Sequence, residues 1–408
     1  MADGAGRCGL GFAMASIAVA DNARVFLEEG VSQRVAPLLS ALGVELTSAA
    51  EGQGATLRAE FIRGANAAHR LRLYRADVGD ALEFDVPNAC AAASAILSHA
   101  LNLPSPLLTA DEGMFAVLRA AVRTARTDSP IVLTGETGTG KELLVRLIHA
   151  ASGRAGGMFS VNCAALNDSL GEHAASLAED VAGDGMIGVD ALFAAPDTTL
   201  FLDQVAELTH VSQTWVLHAI MRAADQAAGP TVRGGARLIS ATNRALEPLV
   251  AAGEFRRELY DRLGVLTIAL PPLRERPPDI LLLGAYFLRT AAADLSFTAG
   301  ALKALTAYPF PGNVRELHNL VTRLAILPRE AASRVIHASE VRAQLVAANT
   351  PASIWKASPF RTRCEMARQA LAACKGDRAA AARKLGISMR ALQRHAVANR
   401  GASQPRGR

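Results

Sequence analysis

The chain has 408 residues, half of them hydrophobic and a fifth charged, the composition of soluble globular domains, two to four at this length. Five scattered cysteines without a CxxC pair read as reduced thiols and exclude a disulfide framework or a zinc site, and no apolar run reaches membrane-spanning length. The net charge of +5 hides a split: from Pro351 onward there are 13 Lys and Arg against 2 Asp and Glu, whereas the remainder holds 30 basic and 36 acidic residues. A basic tail on an acidic body points to nucleic-acid contact at the C-terminal end.

Residues 1–105 read as an α+β block. The stretch GLGFAMASIAVA at 9–20 superficially matches a secretory signal. Asp3 and a single preceding arginine argue against that reading and for a first strand. Residues 16–21 alternate like a strand, 22–42 look helical, 57–62 and 71–74 suggest strands, and 87–101 predict an alanine-rich helix. LPSP at 103–106 reads as a linker. A phosphoacceptor receiver would need a late lysine and an early acidic cluster. This block has no lysine, and only Asp21 follows the first strand, so it is not a working receiver.

From 106 to about 346, strand and helix patterns alternate, which predicts an α/β unit with a parallel sheet. The apolar run Ile131-Val132-Leu133, the segment TGETGTGKE (134–142) and a helical pattern from Leu143 form the strand–glycine loop–helix context of a P-loop. Gly135, Gly138 and Gly140 let the backbone N–H groups of Glu136, Thr137 and Thr139 turn toward phosphate. Lys141, the first lysine in the chain, supplies a full charge. Glu142 replaces the Ser or Thr that usually holds magnesium, so the Mg2+ contact falls to another residue. Thr199-Leu200-Phe201-Leu202-Asp203 is an apolar strand ending in a carboxylate suited to that cation. A further strand, 237–241, runs into Thr242-Asn243-Arg244. Pro271-Pro272 closes the sheet region, and helices are predicted over 280–290 and 299–307.

After a linker at 347–359, residues 360–402 read as three helices: 364–374, 377–385 with Asp377 as its cap, and 389–400 with Ser388 as its cap. The turn Gly386-Ile387-Ser388 completes a helix-turn-helix pattern. In the last helix Arg390, Gln393 and Arg394 share one face. Arg390 and Gln393 suit guanine and adenine edges, while Arg378, Arg383 and Lys384 suit the phosphates of double-stranded DNA. Leu385, Ile387 and Leu392 are expected in the core.

Seven ordered segments resemble one family, the bacterial enhancer-binding proteins: GETGTGKE, VNCAAL (161–166), TLFLD (199–203), SATNRAL (240–246), FRRELYDRL (255–263), LPPLRERPPDI (270–280) and YPFPGNVREL (308–317). The resemblance spans about 107–400. It implies an AAA+ P-loop sheet (106–270), a helical lid (271–346) and an all-α Fis-type helix-turn-helix, in a cytoplasmic ATPase acting on RNA polymerase with sigma-54. By analogy Lys141 and the loop hold ATP, Asp203 holds Mg2+, and Asn162 is the switch that reports nucleotide state. Thr242 and Asn243 match sensor I, Arg315 matches sensor II, and Arg256 and Arg262 match arginine fingers. Such fingers imply a homo-oligomer, a hexameric ring by analogy; a ring mixed with a paralogous activator is the alternative, and no membrane partner is expected.

Two departures bear on mechanism. The family's Asp-Glu at the end of the magnesium strand is Asp203-Gln204 here. An amide can orient water but cannot take its proton, and loss of a general base costs about 10²- to 10⁴-fold. The sigma-contacting GAFTGA motif is absent from SLAEDVAGDGMIGVDALF at 176–193. Three readings follow. The first is a DNA-binding regulator that binds ATP, oligomerises and hydrolyses weakly, working as a co-regulator. The second is an active sigma-54 motor with a variant loop. The third is a DNA-binding protein whose AAA+ module is only a scaffold. Gln204 and the altered loop favour the first over the second, and the intact Lys141, Arg256, Arg262 and Arg315 favour it over the third.

Overall fold

The computed structural model describes residues 15–19, 23–27, 35, 38, 45–48, 57–63, 69–75, 81–101, 103–165, 189–226, 235–327, 334–348, 360–374, 376–385 and 387–397. Residues Met1–Phe287 and Tyr308–His318 form one compact unit, and Leu288–Ala307 with Asn319–Arg408 form a second.

The first unit opens with a six-stranded sheet of order β3-β1-β2-β4-β5-β6. Its strands are β1 (Ala15–Val19), β2 (Ala23–Leu27), β3 (Glu45–Ser48), β4 (Leu57–Arg63), β5 (His69–Arg75) and β6 (Ala81–Val86). β2 and β4 pair in parallel, and the other neighbours are antiparallel. The helix expected over 22–42 is corrected at its start: Ala-Arg-Val-Phe-Leu at 23–27 is a strand. A run this short has no helical period of its own. Cross-strand pairing decides it, with Val19 opposite Ala23 and Val25 opposite Leu57. β3 and β6 were not predicted. Helix α1 (Ala89–Ala100) is capped by Asn88 and is buried at every position from Ala91 to Ser98. It packs against β2, β5 and β6 and also against α2 (Glu112–Ala125). An alanine helix suits such enclosure, because small side chains let elements approach from several sides.

The second sheet of this unit is parallel throughout, order β11-β7-β10-β9-β8. It comprises β7 (Ile131–Thr134), β8 (Met158–Asn162), β9 (Thr199–Asp203), β10 (Arg237–Thr242) and β11 (Leu266–Ala269). β7, β9 and β10 are central and their apolar residues are buried, which is why they read as continuous apolar runs. β10 lies between β7 and β9, so the ends of β9 and β10 are delivered beside the loop that follows β7. That loop leads into α3 (Lys141–Ala151). After it come α4 (Val189–Ala194), α5 (His210–Gln226), α6 (Leu246–Ala251) and α7 (Arg257–Leu263), followed by α8 (Pro277–Ala291).

In the second unit, α9 (Ala299–Thr306) packs on α11 (Ala338–Ala348), and α10 spans Asn313–Ile326, its first turn belonging to the first unit. The C-terminal helices are α12 (Phe360–Ala373), α13 (Arg378–Leu385) and α14 (Met389–Val397). They enclose a small core of Ala367, Ala370, Ala381, Ala382, Leu385 and Leu392, with Ile387 against it. Of the predicted linker at 347–359, residues 347–348 instead end α11; the rest of it and most of the GAFTGA-equivalent stretch lie outside the described residues.

Candidate nucleotide and DNA sites

The loop after β7 has the left-handed backbone that its glycines predict. Gly138 has φ of +82°, and a Cβ there would run into the Gly312 carbonyl. Only glycine serves both the conformation and the approach of that chain. Gly135 N donates to the Thr242 carbonyl at 3.2 Å and Val314 N to the Gly138 carbonyl at 3.0 Å, so β10 and the start of α10 brace the loop.

Lys141 Nζ donates to the carbonyls of Gly135 (2.7 Å) and Glu136 (2.9 Å). Burial pushes its pKa down, while Asp203 opposes the shift. Asp203 Oδ1 accepts from Gln204 N at 3.0 Å. Burial raises the Asp203 pKa, with the Lys141 and Arg315 charges opposing. Asn162 is the register partner of Asp203 in the parallel pair β8–β9 and accepts from Ala164 N. Gln204 adopts φ +58°, ψ +45°, a conformation that is uncommon for a side chain other than Gly, Asn or Asp. Asn243 Nδ2 reaches Thr137 Oγ1 at 3.2 Å. Thr242 is buried and its hydroxyl closes a local turn with Arg244. Thr139 Oγ1 donates to the Glu136 carbonyl. Glu142 pairs with Arg146 on the surface of α3 at 2.7 Å.

Four residues that sequence reasoning gave no role complete this region. Arg274 binds Glu136 with two nitrogens, at 2.8 and 2.6 Å. Asn313 Nδ2 donates to Glu136 Oε2 and to the Thr137 carbonyl, both at 3.1 Å, while its Oδ1 accepts from Leu273 N. The hydrogen bonds from Arg274 and then Asn313 hold the Glu136 carboxyl down at about 2. Arg276 Nη2 donates to the Thr139 carbonyl at 2.8 Å, and Asp279 lies beside Arg276. All four sit inside LPPLRERPPDI or YPFPGNVREL. The motifs were visible, but nothing in their spacing says which side chains turn toward the loop.

Arg256 and Arg262 are exposed at the two ends of α7, and the Arg256 amide donates to Gln213 Oε1 at 2.8 Å. Arg315, also exposed, follows Asn313 in the first turn of α10. In the C-terminal helices, Asp377 accepts from the amides of Ala379 and Ala380, and Ser388 Oγ accepts from Ala391 N at 3.2 Å. Both caps are where the sequence put them. Arg378, Arg383, Lys384, Arg390, Gln393 and Arg394 are exposed, whereas Leu385 and Leu392 are buried.

The parallel sheet with its inserted central strand, the glycine loop and the helical region after β11 define an AAA+ P-loop ATPase fold joined to a helix-turn-helix. Residues 107–269 match the Sigma-54 interaction domain, 274–354 the AAA+ ATPase lid domain and 364–395 the Fis family of bacterial regulatory proteins. The chain is 32% identical over 338 residues to the transcriptional regulatory protein ZraR of Escherichia coli K12, covering 76% of this chain and 74% of that one. It is 34% identical to the regulatory protein AtoC of the same organism, covering 70% and 66%. A crystal structure of NtrX from Brucella abortus in complex with ATP aligns with TM-score 0.50 and 29% identity, over 71% and 68% of the two chains. The chain belongs to the sigma-54-dependent bacterial enhancer-binding regulators.

Proposed function

We propose that this protein is a DNA-binding regulator that binds Mg-ATP, assembles with its own kind or with a paralogous activator, and turns ATP over slowly. The observation that carries this is Gln204, which follows Asp203 at the end of β9, in a chain that keeps the glycine loop and Lys141. ATP with Mg2+ supplies a phosphoanhydride bond whose charge the cation neutralises. Lys141, now resting on loop carbonyls, has phosphate oxygens as its natural acceptors, and the loop amides and the α3 N-terminus favour the same anion. The Asp203 carboxylate, half-buried and facing two cations, is the oxygen donor for Mg2+. Thr242, Asn243 and Arg315 flank the loop as sensors, and Asn162, opposite Asp203, is the switch. Arg256 and Arg262 lie exposed, as residues completing a neighbour's site must. The ATP-bound relative NtrX supports the nucleotide reading.

With Gln204 in the glutamate position, attacking water is oriented but finds no proton acceptor there. Arg390 and Gln393 read base edges in the major groove, Arg394 lies on the same face, and Arg378, Arg383 and Lys384 hold phosphates. The missing GAFTGA motif supports a reading in which a partner subunit engages sigma-54 polymerase. Among the described residues no helix is long and apolar enough to cross a membrane. Calorimetric titration tests the proposal: Mg-ATP binds the wild type, and Lys141→Ala abolishes binding. Wild-type turnover equal to that of ordinary enhancer-binding ATPases would refute slow hydrolysis.

A further inference from the structure

A carboxylate with no solvent exposure, Asp279, lies at the start of α8, beside an arginine that is 2% exposed, Arg276. A buried pair of this kind is costly to desolvate and rarely adds net stability over an apolar pair, so its hydrogen bonds indicate what it organises. On one side Arg276 Nη2 donates to the Thr139 carbonyl of the P-loop at 2.8 Å, while its Nε has no partner among the described residues. On the other side Asp279 accepts from Thr109 Oγ1 (2.9 Å), Ala110 N (2.7 Å) and Asp111 N (3.1 Å). Asp279 therefore fastens the three residues that lead into α2, and Asp111 caps that helix.

Two of those residues, Thr109 and Ala110, together with Leu107, are in turn held by α1 of the N-terminal block and its cap Asn88. Ser94 Oγ accepts from Thr109 N at 3.1 Å, Ser98 Oγ accepts from Leu107 N at 2.9 Å, and Asn88 Nδ2 donates to the Ala110 carbonyl at 2.7 Å. A continuous polar chain thus runs from Ser94 through Thr109, Asp279 and Arg276 to Thr139. Every side chain in it is buried. Helix α1 packs against the N-terminal sheet, so a shift of that sheet cannot leave α1 and its serines in place. Packed interiors transmit such displacements rather than absorbing them.

We infer that Asp279 and Arg276 are positioning residues that carry the seating of α1 to the P-loop, so that the N-terminal block sets the affinity for ATP. This rests on the nucleotide-binding reading above. The chain acts on the Thr139 carbonyl: when Arg276 holds it, the loop amides keep the orientation that binding requires. When α1 moves, Thr109 moves with it and Asp279 re-aims Arg276.

The test is a double-mutant cycle on the full-length protein, with Mg-ATP affinity read by calorimetry. Ser94→Ala, remote from the loop, weakens binding by about threefold, and Arg276→Met by about tenfold. The double variant binds no worse than Arg276→Met alone, because the chain is already cut. Arg276→Lys, which still donates to Thr139, recovers part of the affinity. Additive losses, or unchanged affinity in Ser94→Ala, would overturn the inference while leaving ATP binding itself intact. Should Arg276→Met fail to fold, amide exchange across residues 135–141 decides: it rises in Ser94→Ala if the chain transmits, and no change refutes it. Absence of Mg-ATP binding in the wild type would instead remove the nucleotide reading, and this inference with it.

Discussion

Gln204 differs from glutamate by one proton-accepting group, and the backbone holds it beside Asp203 in an αL conformation. Gln204→Glu places a carboxylate at the same point, and steady-state phosphate release should rise by about 10²-fold or more. Little change would mean that another group already serves as base. Glu136 offers a pH test. Its folded pKa is depressed to about 2, mainly by Arg274. A depressed carboxyl adds stability that is fully present above its unfolded pKa and is lost as pH falls through the folded value. The melting temperature of the wild type should therefore exceed that of Glu136→Gln at neutral pH, and the gap should close on acidification toward pH 2. The gap is small, because both partners are about 40% exposed and well screened. A constant gap down to pH 2 would show that the ion pair contributes nothing.

Helix α14 makes the DNA-binding proposal testable as a unit. Its polar face carries Arg390, Gln393 and Arg394, its apolar residue Leu392 is 1% exposed, and Ser388 caps its start. Ser388→Ala should cost about 1 kcal/mol of stability in this small three-helix core, measured by thermal melting, with Ser388→Asp close to wild type. Gln393→Ala should cost about 1–3 kcal/mol on a selected site and little on random DNA. Lys384→Ala should weaken both equally and flatten the salt dependence by about one unit of slope. Equal losses on both DNAs for Gln393→Ala would mean that the base-reading face lies elsewhere on the helix.

In the assembled protein, Arg256 and Arg262 belong to a neighbour's site under the proposed ring. Each substituted by Ala should depress hydrolysis without lowering Mg-ATP affinity much. Mixing Arg256→Ala subunits with Lys141→Ala subunits should recover activity, because some interfaces then pair an intact loop with an intact finger. No recovery on mixing would argue against completion in trans. The protein alone should form no open complex at a sigma-54 promoter in reconstituted transcription, and should contribute only with an activator that carries GAFTGA. Robust activation unaided would overturn the co-regulator proposal.

What the sequence determined by itself was local chemistry. The glycine loop, the apolar strand ending at Asp203, the caps Asp377 and Ser388 and the small C-terminal core were legible, because each depends on φ preferences, burial period or a hydrogen bond within a few residues. Short strands such as Ala23–Leu27 and Ala81–Val86 were misread or missed, because partners far along the chain decide them. The same holds around the loop. Asn313 reaches Glu136 across 177 residues and Asp279 reaches Thr109 across 170. Both stand within the segments LPPLRERPPDI and YPFPGNVREL, but only folding brings their side chains to the strands and turns they hold. Pairings of that separation leave no periodic trace in the chain. They arise where a parallel sheet gathers distant loops at one end and low exposure favours polar groups that find a partner.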